Sequence, residues 1–291
     1  MTIQFQDHHW TSLDGLRLYA RDYAPADGPA RLPVIAIHGL TRNSADFDAI
    51  APLIAQSGHR VLAIDVRGRG RSERASDPMT YRPDVYARDV IALMQGAGLE
   101  RALFLGTSMG GIITMALSAM KPDAIAGAIL NDVGPELAIE GLTRIAAYTG
   151  QPVTITNWAD ATAYAQRINQ AAFPHYGSTD WQAFAQRLFV EGPDGIPVLN
   201  YDPDISVPIK ADAAKALTPD LWPLFRCLTD TAPTLLVRGG ISDLISPEIV
   251  AKMQAAAPDM AYAEVPAIGH APMLSEPEAK AAIFKFLEDL A

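Results

Sequence analysis

Five residues near the middle of the chain, Gly106-Thr-Ser-Met-Gly110, constrain its fold more than any other stretch. The residues before them, Arg101-Ala-Leu-Phe-Leu-Gly106, have the pattern of a short buried strand. Those after, Gly111-Ile-Ile-Thr-Met-Ala-Leu-Ser-Ala-Met120, have that of a buried helix. A serine set between glycines at a strand-to-helix junction predicts a nucleophile elbow. The turn is tight enough to force the serine into unfavourable backbone angles, and glycines two residues to either side leave room for the crossing chain. The Ser108 hydroxyl is then presented above the sheet edge, beside a helix N-terminus that favours negative charge. A glycine-rich packing turn would share the glycines, but it would not require the strand before and the helix after.

A serine hydroxyl is a weak nucleophile until a base takes its proton, and the base needs a third group to fix its tautomer and stabilise its charge. In an elbow architecture the chain order is serine, acid, histidine. Of six histidines, His175 and His270 follow Ser108. His270 lies in Ile268-Gly-His-Ala-Pro-Met273, just after the last expected strand, and is the expected base. His175 lies beside Phe173 and Pro174 and suits a surface or substrate-lining place. Asp243 follows an expected strand at 234–238 and is the expected acid; its other reading is a helix N-cap ahead of Pro247. Asp132, in Leu130-Asn-Asp-Val-Gly134, is the rival acid or an anchor for the segment that follows it.

An oxyanion needs two fixed donors. The backbone N–H of Met109, next to the serine, is one; the N–H of Leu40, after His38-Gly39, is the other. His38 is expected to anchor that loop. Arg42 in the same loop is either a partner for a substrate carboxylate or a solvated surface residue. Asp65-Val-Arg-Gly-Arg-Gly-Arg-Ser72 has the charge to bind phosphate but no phosphate-loop pattern, so a structural turn is expected, with Asp65 paired to an arginine.

Around the elbow, apolar strands alternate with helices. Residues 3–23 read as a hairpin turning at Asp14-Gly15. Strands are expected near 33–38, 60–65, 124–130, 234–238 and 261–265, with helices over 46–57, from Pro83 to Gln95, from Pro247 and from Pro277. Such alternation implies a parallel sheet covered on both faces. The rhythm stops between about Pro135 and Pro223. Helices are expected there near 136–148, 159–171 and 179–191, followed by a Pro-, Gly- and Asp-rich stretch over 192–208. Aromatic residues concentrate in this region, so it reads as an inserted helical cap, residues 135–223, on a core of 1–134 and 224–291. The aromatics suit the core of the cap and, beyond it, an apolar acyl group.

The formal charge of −10 argues against nucleic acid and against an anionic membrane surface. One cysteine, Cys227, excludes an internal disulfide, and neither a signal-peptide pattern nor an apolar run of membrane-spanning length occurs. The cytoplasm is the expected compartment. No metal motif and no cofactor fingerprint is present, so neither a metal nor a cofactor is expected.

His38-Gly39, Asp65-x-Arg-Gly-x-Gly-x-Ser72, the elbow, Asp243 and Gly269-His270 together resemble the α/β-hydrolase superfamily. The resemblance runs from near residue 33 to the end and is poor over 135–223. It implies an eight-stranded, mostly parallel sheet with a helical cap after the sixth strand, a triad of Ser108, Asp243 and His270, and an oxyanion hole at Leu40 and Met109. Members that open epoxides or remove halogens carry aspartate at the elbow, so Ser108 disfavours those reactions. The serine members imply hydrolysis of a small carboxylic ester or lactone through an acyl-enzyme. The alternatives are hydrolysis of a C–C bond in a diketone from aromatic breakdown, or a non-catalytic ligand-binding member of the fold. The expected partner is a small molecule: ester, lactone or diketone.

Overall fold

A computed structural model describes residues 4–26, 28, 31–214 and 220–290. Eight strands form one sheet: β1 (Phe5–Thr11), β2 (Arg17–Tyr23), β3 (Val34–Ile37), β4 (Val61–Asp65), β5 (Ala102–Thr107), β6 (Ile125–Asn131), β9 (Thr234–Gly239) and β10 (Ala261–Val265). Their order across the sheet is β1-β2-β4-β3-β5-β6-β9-β10. β1, β2 and β4 pair antiparallel, and every other pairing is parallel. The hairpin turns at Asp14-Gly15 as expected; the first residue of its expected span, Ile3, lies outside the described residues.

The inner strands β3, β4, β5, β6 and β9 are short, mostly apolar runs because both faces of the sheet are covered there. Side chains alternate between faces. Ile35, Ile37, Phe104 and Leu130 pack under α2 (Pro83–Gly96), α3 (Met109–Met120), α8 (Trp222–Thr231) and α9 (Pro247–Ala256). Val34, Ala36, Leu103 and Leu105 pack under α1 (Ala51–Gln56) and α10 (Pro277–Asp289). The five long helices of the sheet region begin where the sequence allows: Pro sits in the first turn of α2, α8, α9 and α10, and the elbow starts α3.

Between β6 and α8 lies an insertion of four helices, α4 (Ile139–Tyr148), α5 (Trp158–Asn169), α6 (Ser178–Leu188) and α7 (Ser206–Ala214). It has its own apolar cluster around Tyr164, Phe173, Trp181, Phe184 and Phe189. The third helix expected there ends three residues early. Phe189–Glu191 (β7) leaves the helix to pair with Pro197–Leu199 (β8), and Phe189 is buried against the Tyr164 ring. A two-strand hairpin of three-residue strands spaced by Gly192-Pro-Asp-Gly-Ile196 is too short to show a period-two pattern, so it reads as loop from the sequence.

The arginine loop after β4 joins the insertion to the sheet. Arg69 pairs with Tyr201 in an isolated bridge, Gly70 N–H donates to Asn200 O at 2.9 Å, and Asp202 N–H donates to Gly68 O at 2.7 Å. The loop is the structural turn expected, but Asp65 does not pair with an arginine. Its carboxylate accepts the backbone N–H groups of Ser44 and Arg71, at 2.7 and 2.8 Å. Arg67 goes instead to Asp89 and Asp14. Gly70 is what permits this: at φ +57 its Cβ would lie 2.1 Å from the Asp65 carboxylate.

Candidate active site

The elbow forms where β5 meets α3. Ser108 sits at φ +51, ψ −115, a conformation that L-residues rarely adopt. The neighbouring glycines are required sterically. A Cβ on Gly106 would lie 2.5 Å from Gly110 C, one on Gly110 would lie 2.0 Å from Ile37 O, and one on Gly111 would lie 2.3 Å from Val133 Cγ1. Backbone therefore passes backbone at a distance no side chain allows, and Ser108 Oγ is turned out at the carboxyl end of the sheet.

The loop after β10 brings His270 to the serine. Its Nε2 lies 2.9 Å from Ser108 Oγ. Its Nδ1 lies 2.8 Å from Asp132 Oδ2. With Nδ1 protonated and donating to the carboxylate, Nε2 is left to accept the serine proton. Asp132 is fully buried and doubly supported: its Oδ1 accepts Gly239 N–H at 2.8 Å and its Oδ2 accepts Ser242 O–H at 2.6 Å.

The acid beside His270 is thus Asp132 and not Asp243, which corrects the expectation. Two physical causes act together. Asp132 follows β6 with φ +55, and its N–H donates to Val237 O at 2.7 Å, so its side chain is directed to the end of β9. Asp243 is drawn the other way. Arg144 of α4 grips it with both fork nitrogens, at 2.5 and 2.8 Å. Burial raises the Asp243 pKa, but the Arg144 hydrogen bonds and charge outweigh burial and leave it below the usual carboxylate range. Its other suggested role is also absent, since the cap of α9 is Ser246, whose side chain accepts from Ile249 N–H.

Leu40 and Met109 flank the serine from two different loops. Leu40 lines the pocket above Ser108, and Met109 opens α3. One buried side chain, Arg69, ties both. Its Nε donates to Leu40 O at 3.0 Å, its Nη2 lies 3.6 Å from Met109 Sδ, and its Nη1 donates to Arg67 O and Tyr86 Oη, each at 2.8 Å. His38 anchors the same loop, as expected: Nδ1 donates to Gly39 O at 2.7 Å and Nε2 accepts Val66 N–H at 3.0 Å. Burial pushes its pKa down to about 3, so the ring is neutral and takes no part in proton transfer at neutral pH. Sequence reasoning missed Arg69 as a link between these loops. Its signal was present, an arginine in a loop full of glycines, but nothing in the sequence says which carbonyls it reaches.

The pocket over Ser108 is walled by Ile145, Tyr148, Phe173, Phe184 and Leu188 from the insertion and by Leu40 and Met273 from the core side. Phe173 and Phe184 serve both the insertion's own cluster and the pocket. Arg42 lines the pocket but is closed on Asp46, with Nε and Nη2 at 2.8 and 2.5 Å, and lies 4.2 Å from the Phe184 ring centroid. His175 is exposed and lines neither this pocket nor its neighbour, so the structure does not bring it to the site.

A half-buried strained serine, a histidine within hydrogen-bond reach and a carboxylate behind it make up the arrangement of an activated nucleophile. Sequence comparison gives it a lineage: the profile of the alpha/beta hydrolase fold matches residues 33–277. The chain belongs to the alpha/beta hydrolase family. A member of this family from Cupriavidus necator, a 3-hydroxybutyrate-oligomer hydrolase, is 36% identical over 250 residues, 84% of each chain. A 2-(acetamidomethylene)succinate hydrolase from Mesorhizobium japonicum is 27% identical over 81% of each chain. The crystal structure of an alpha/beta hydrolase from Novosphingobium aromaticivorans, 43% identical, superposes with a TM-score of 0.90 over 99% of both chains. Hydrolase activity is what these relatives share, and among the described residues no helix is long and apolar enough to cross a membrane.

Proposed function

We propose that this hydrolase cleaves a small carboxylic ester by way of an acyl-enzyme on Ser108. The observation that carries the reading is the unbroken hydrogen-bonded line from Ser108 Oγ through His270 to Asp132, at 2.9 and 2.8 Å. His270 Nε2 takes the hydroxyl proton as Oγ attacks the ester carbonyl. The backbone N–H groups of Leu40 and Met109 receive the oxyanion, and the Asp132 carboxylate stabilises the imidazolium. The tetrahedral adduct collapses, His270 gives its proton to the departing alkoxide, and an alcohol leaves. Water then repeats the sequence: His270 takes its proton, hydroxide adds to the acyl carbon, and the carboxylic acid departs as Ser108 recovers its proton.

The inserted helices act as a cap that excludes water and shapes the acyl pocket. The Cupriavidus relative, named for an oligomer joined through hydroxyl and carboxyl groups, supports an ester of that chemistry as substrate. Ser108→Ala is expected to lower turnover of 4-nitrophenyl butyrate by at least about ten-thousand-fold with unchanged circular dichroism. An active Ser108→Ala enzyme overturns the assignment. Turnover of a dienoic meta-cleavage product in preference to esters would favour the C–C bond reading, and failure of a fluorophosphonate to label Ser108 would favour a ligand-binding role.

A further inference from the structure

A second cavity lies between α6 and the 3-10 turn Ser44–Phe47, and it meets the pocket over Ser108 at Asp46 and Met273, which line both. Its walls also include Tyr176, Asp180, Arg187 and Ser275. The pocket over Ser108 is mostly aromatic and aliphatic; this one presents hydroxyls and charges.

Two acids at the second cavity, Asp46 and Asp180, are already engaged, and nearby Glu276 is engaged through one oxygen only, its Oε2 being buried with no partner. Asp46 is held by the Arg42 fork. Asp180 accepts Gly177 N–H at 2.9 Å, at the start of its own helix, and Glu276 accepts Met273 N–H at 3.0 Å. Arg187 is different. Its Nε is buried with no hydrogen-bond partner. No ion pair among the described residues includes it. The guanidinium lies 5.6 Å from the Phe184 ring centroid, on the ring that Arg42 also stacks against. A guanidinium N–H removed from water without an acceptor is costly, and the cost vanishes when an oxyanion supplies one. The backbone that carries it is fixed, because Asn43 Nδ2 donates to Arg187 O at 2.7 Å and staples the end of α6 to the loop after β3.

We propose that Arg187 anchors a carboxylate at the end of the substrate remote from the scissile bond. The preferred substrates are then short esters that carry a free carboxylate: half-esters of dicarboxylic acids, or esters whose alcohol is a hydroxy acid. The inference rests on the ester-hydrolase reading above and supplies its substrate class. The scissile carbonyl sits at Ser108, the chain runs past Asp46 and Met273, and the carboxylate meets Arg187 with the Tyr176 and Ser275 hydroxyls beside it. Burial pushes the Tyr176 phenol up to about 12, so it remains a donor at neutral pH. Arg42 is nearer the serine loop, but its fork is already closed on Asp46.

Two substrate pairs test this and show which side of the ester bears the charge. 4-Nitrophenyl hydrogen adipate against 4-nitrophenyl hexanoate places a carboxylate or a methyl at the end of the same acyl chain. 3-(Butyryloxy)butyrate against sec-butyl butyrate does so on the alcohol. In at least one pair the anionic member is expected to have a kcat/KM about tenfold higher or more, expressed mainly in KM. That ratio should fall to about twofold or less in Arg187→Met and survive in part in Arg187→Lys. Circular dichroism and fluorophosphonate titration of Ser108 normalise each variant for folded, competent enzyme. A wild-type ratio near one in both pairs overturns the proposal, as does a ratio retained in Arg187→Met. Labelled Ser108 without carboxylate preference sinks this inference alone. Unlabelled Ser108 with no turnover of any ester sinks the ester-hydrolase reading as well.

Discussion

At the scale of single residues, the choice between Asp132 and Asp243 shows how two similar signals diverge in space. Both aspartates follow a parallel strand, and both precede His270 in the chain. Only Asp132 reaches the imidazole, through a backbone at φ +55 and three donors that converge on its carboxylate. Asp132→Asn should therefore lower kcat by about ten-thousand-fold, because the amide cannot hold the required tautomer. Asp243→Asn should keep kcat within about tenfold of the wild type, since its loss weakens a contact to Arg144 and not one to His270. Steady-state kinetics on 4-nitrophenyl butyrate decides; the reverse ranking would return the role to Asp243. The elbow glycines, Ser108 and His270 were legible in the sequence because each is imposed locally, by a steric limit or by a loop at a strand end. The acid was not, because its identity depends on which aspartate the backbone turns towards His270 and which one Arg144, about a hundred residues away, draws off.

At the scale of elements, α4 is the piece whose docking matters most. Ala138 N–H donates to Leu244 O, Gly141 N–H to Asp243 O, and Arg144 to the Asp243 side chain, so every third residue along one ridge is tied to the same loop. Gly141 lies so close that a Cβ there would sit 2.8 Å from Asp243 O and 2.9 Å from Leu244 Cα. Gly→Ala inside a helix ordinarily stabilises by about 1 kcal/mol. Here the clash is with backbone, which cannot swing aside, and overpacking of this kind costs about 1–3 kcal/mol. Gly141→Ala is expected to be net destabilising in urea unfolding and to raise KM, since α4 carries Ile145 and Tyr148 into the pocket wall. A more stable Gly141→Ala would show that the loop at 243–244 yields. The expected helices of the insertion fell close to α4, α5 and α6 because their apolar residues recur at helical spacing. β7 and β8 escaped detection because strands of three residues carry no period.

At the scale of the whole molecule, the buried polar groups beneath the site couple stability to pH. His38 is neutral in the fold with a pKa near 3, against 6.5 for an exposed imidazole. Between those values the unfolded chain binds a proton that the native chain refuses. Stability is therefore full above about pH 6.5 and declines as pH falls towards 3, by up to about 1.4 kcal/mol per unit. His38→Gln, which cannot titrate, should flatten that slope in urea titrations at pH 7, 5.5 and 4.5; an unchanged slope would assign it to other groups. The same ring holds the Leu40 loop, so the variant should also lose turnover.

Alternating apolar strands and helices, glycines where chain crosses chain, and a serine at a strand-to-helix turn were enough to determine a parallel sheet with helices on both faces, because each follows from local sterics and burial; its eight strands were implied by the resemblance to α/β hydrolases. Tertiary structure alone decided which carboxylate stands behind His270, which aspartate Arg144 holds, and that Arg187 Nε is buried with no hydrogen-bond partner. Those outcomes turn on pairings between residues tens to hundreds of positions apart. Competition among several arginines and aspartates for one another is settled by distance in the fold, which a linear pattern does not encode.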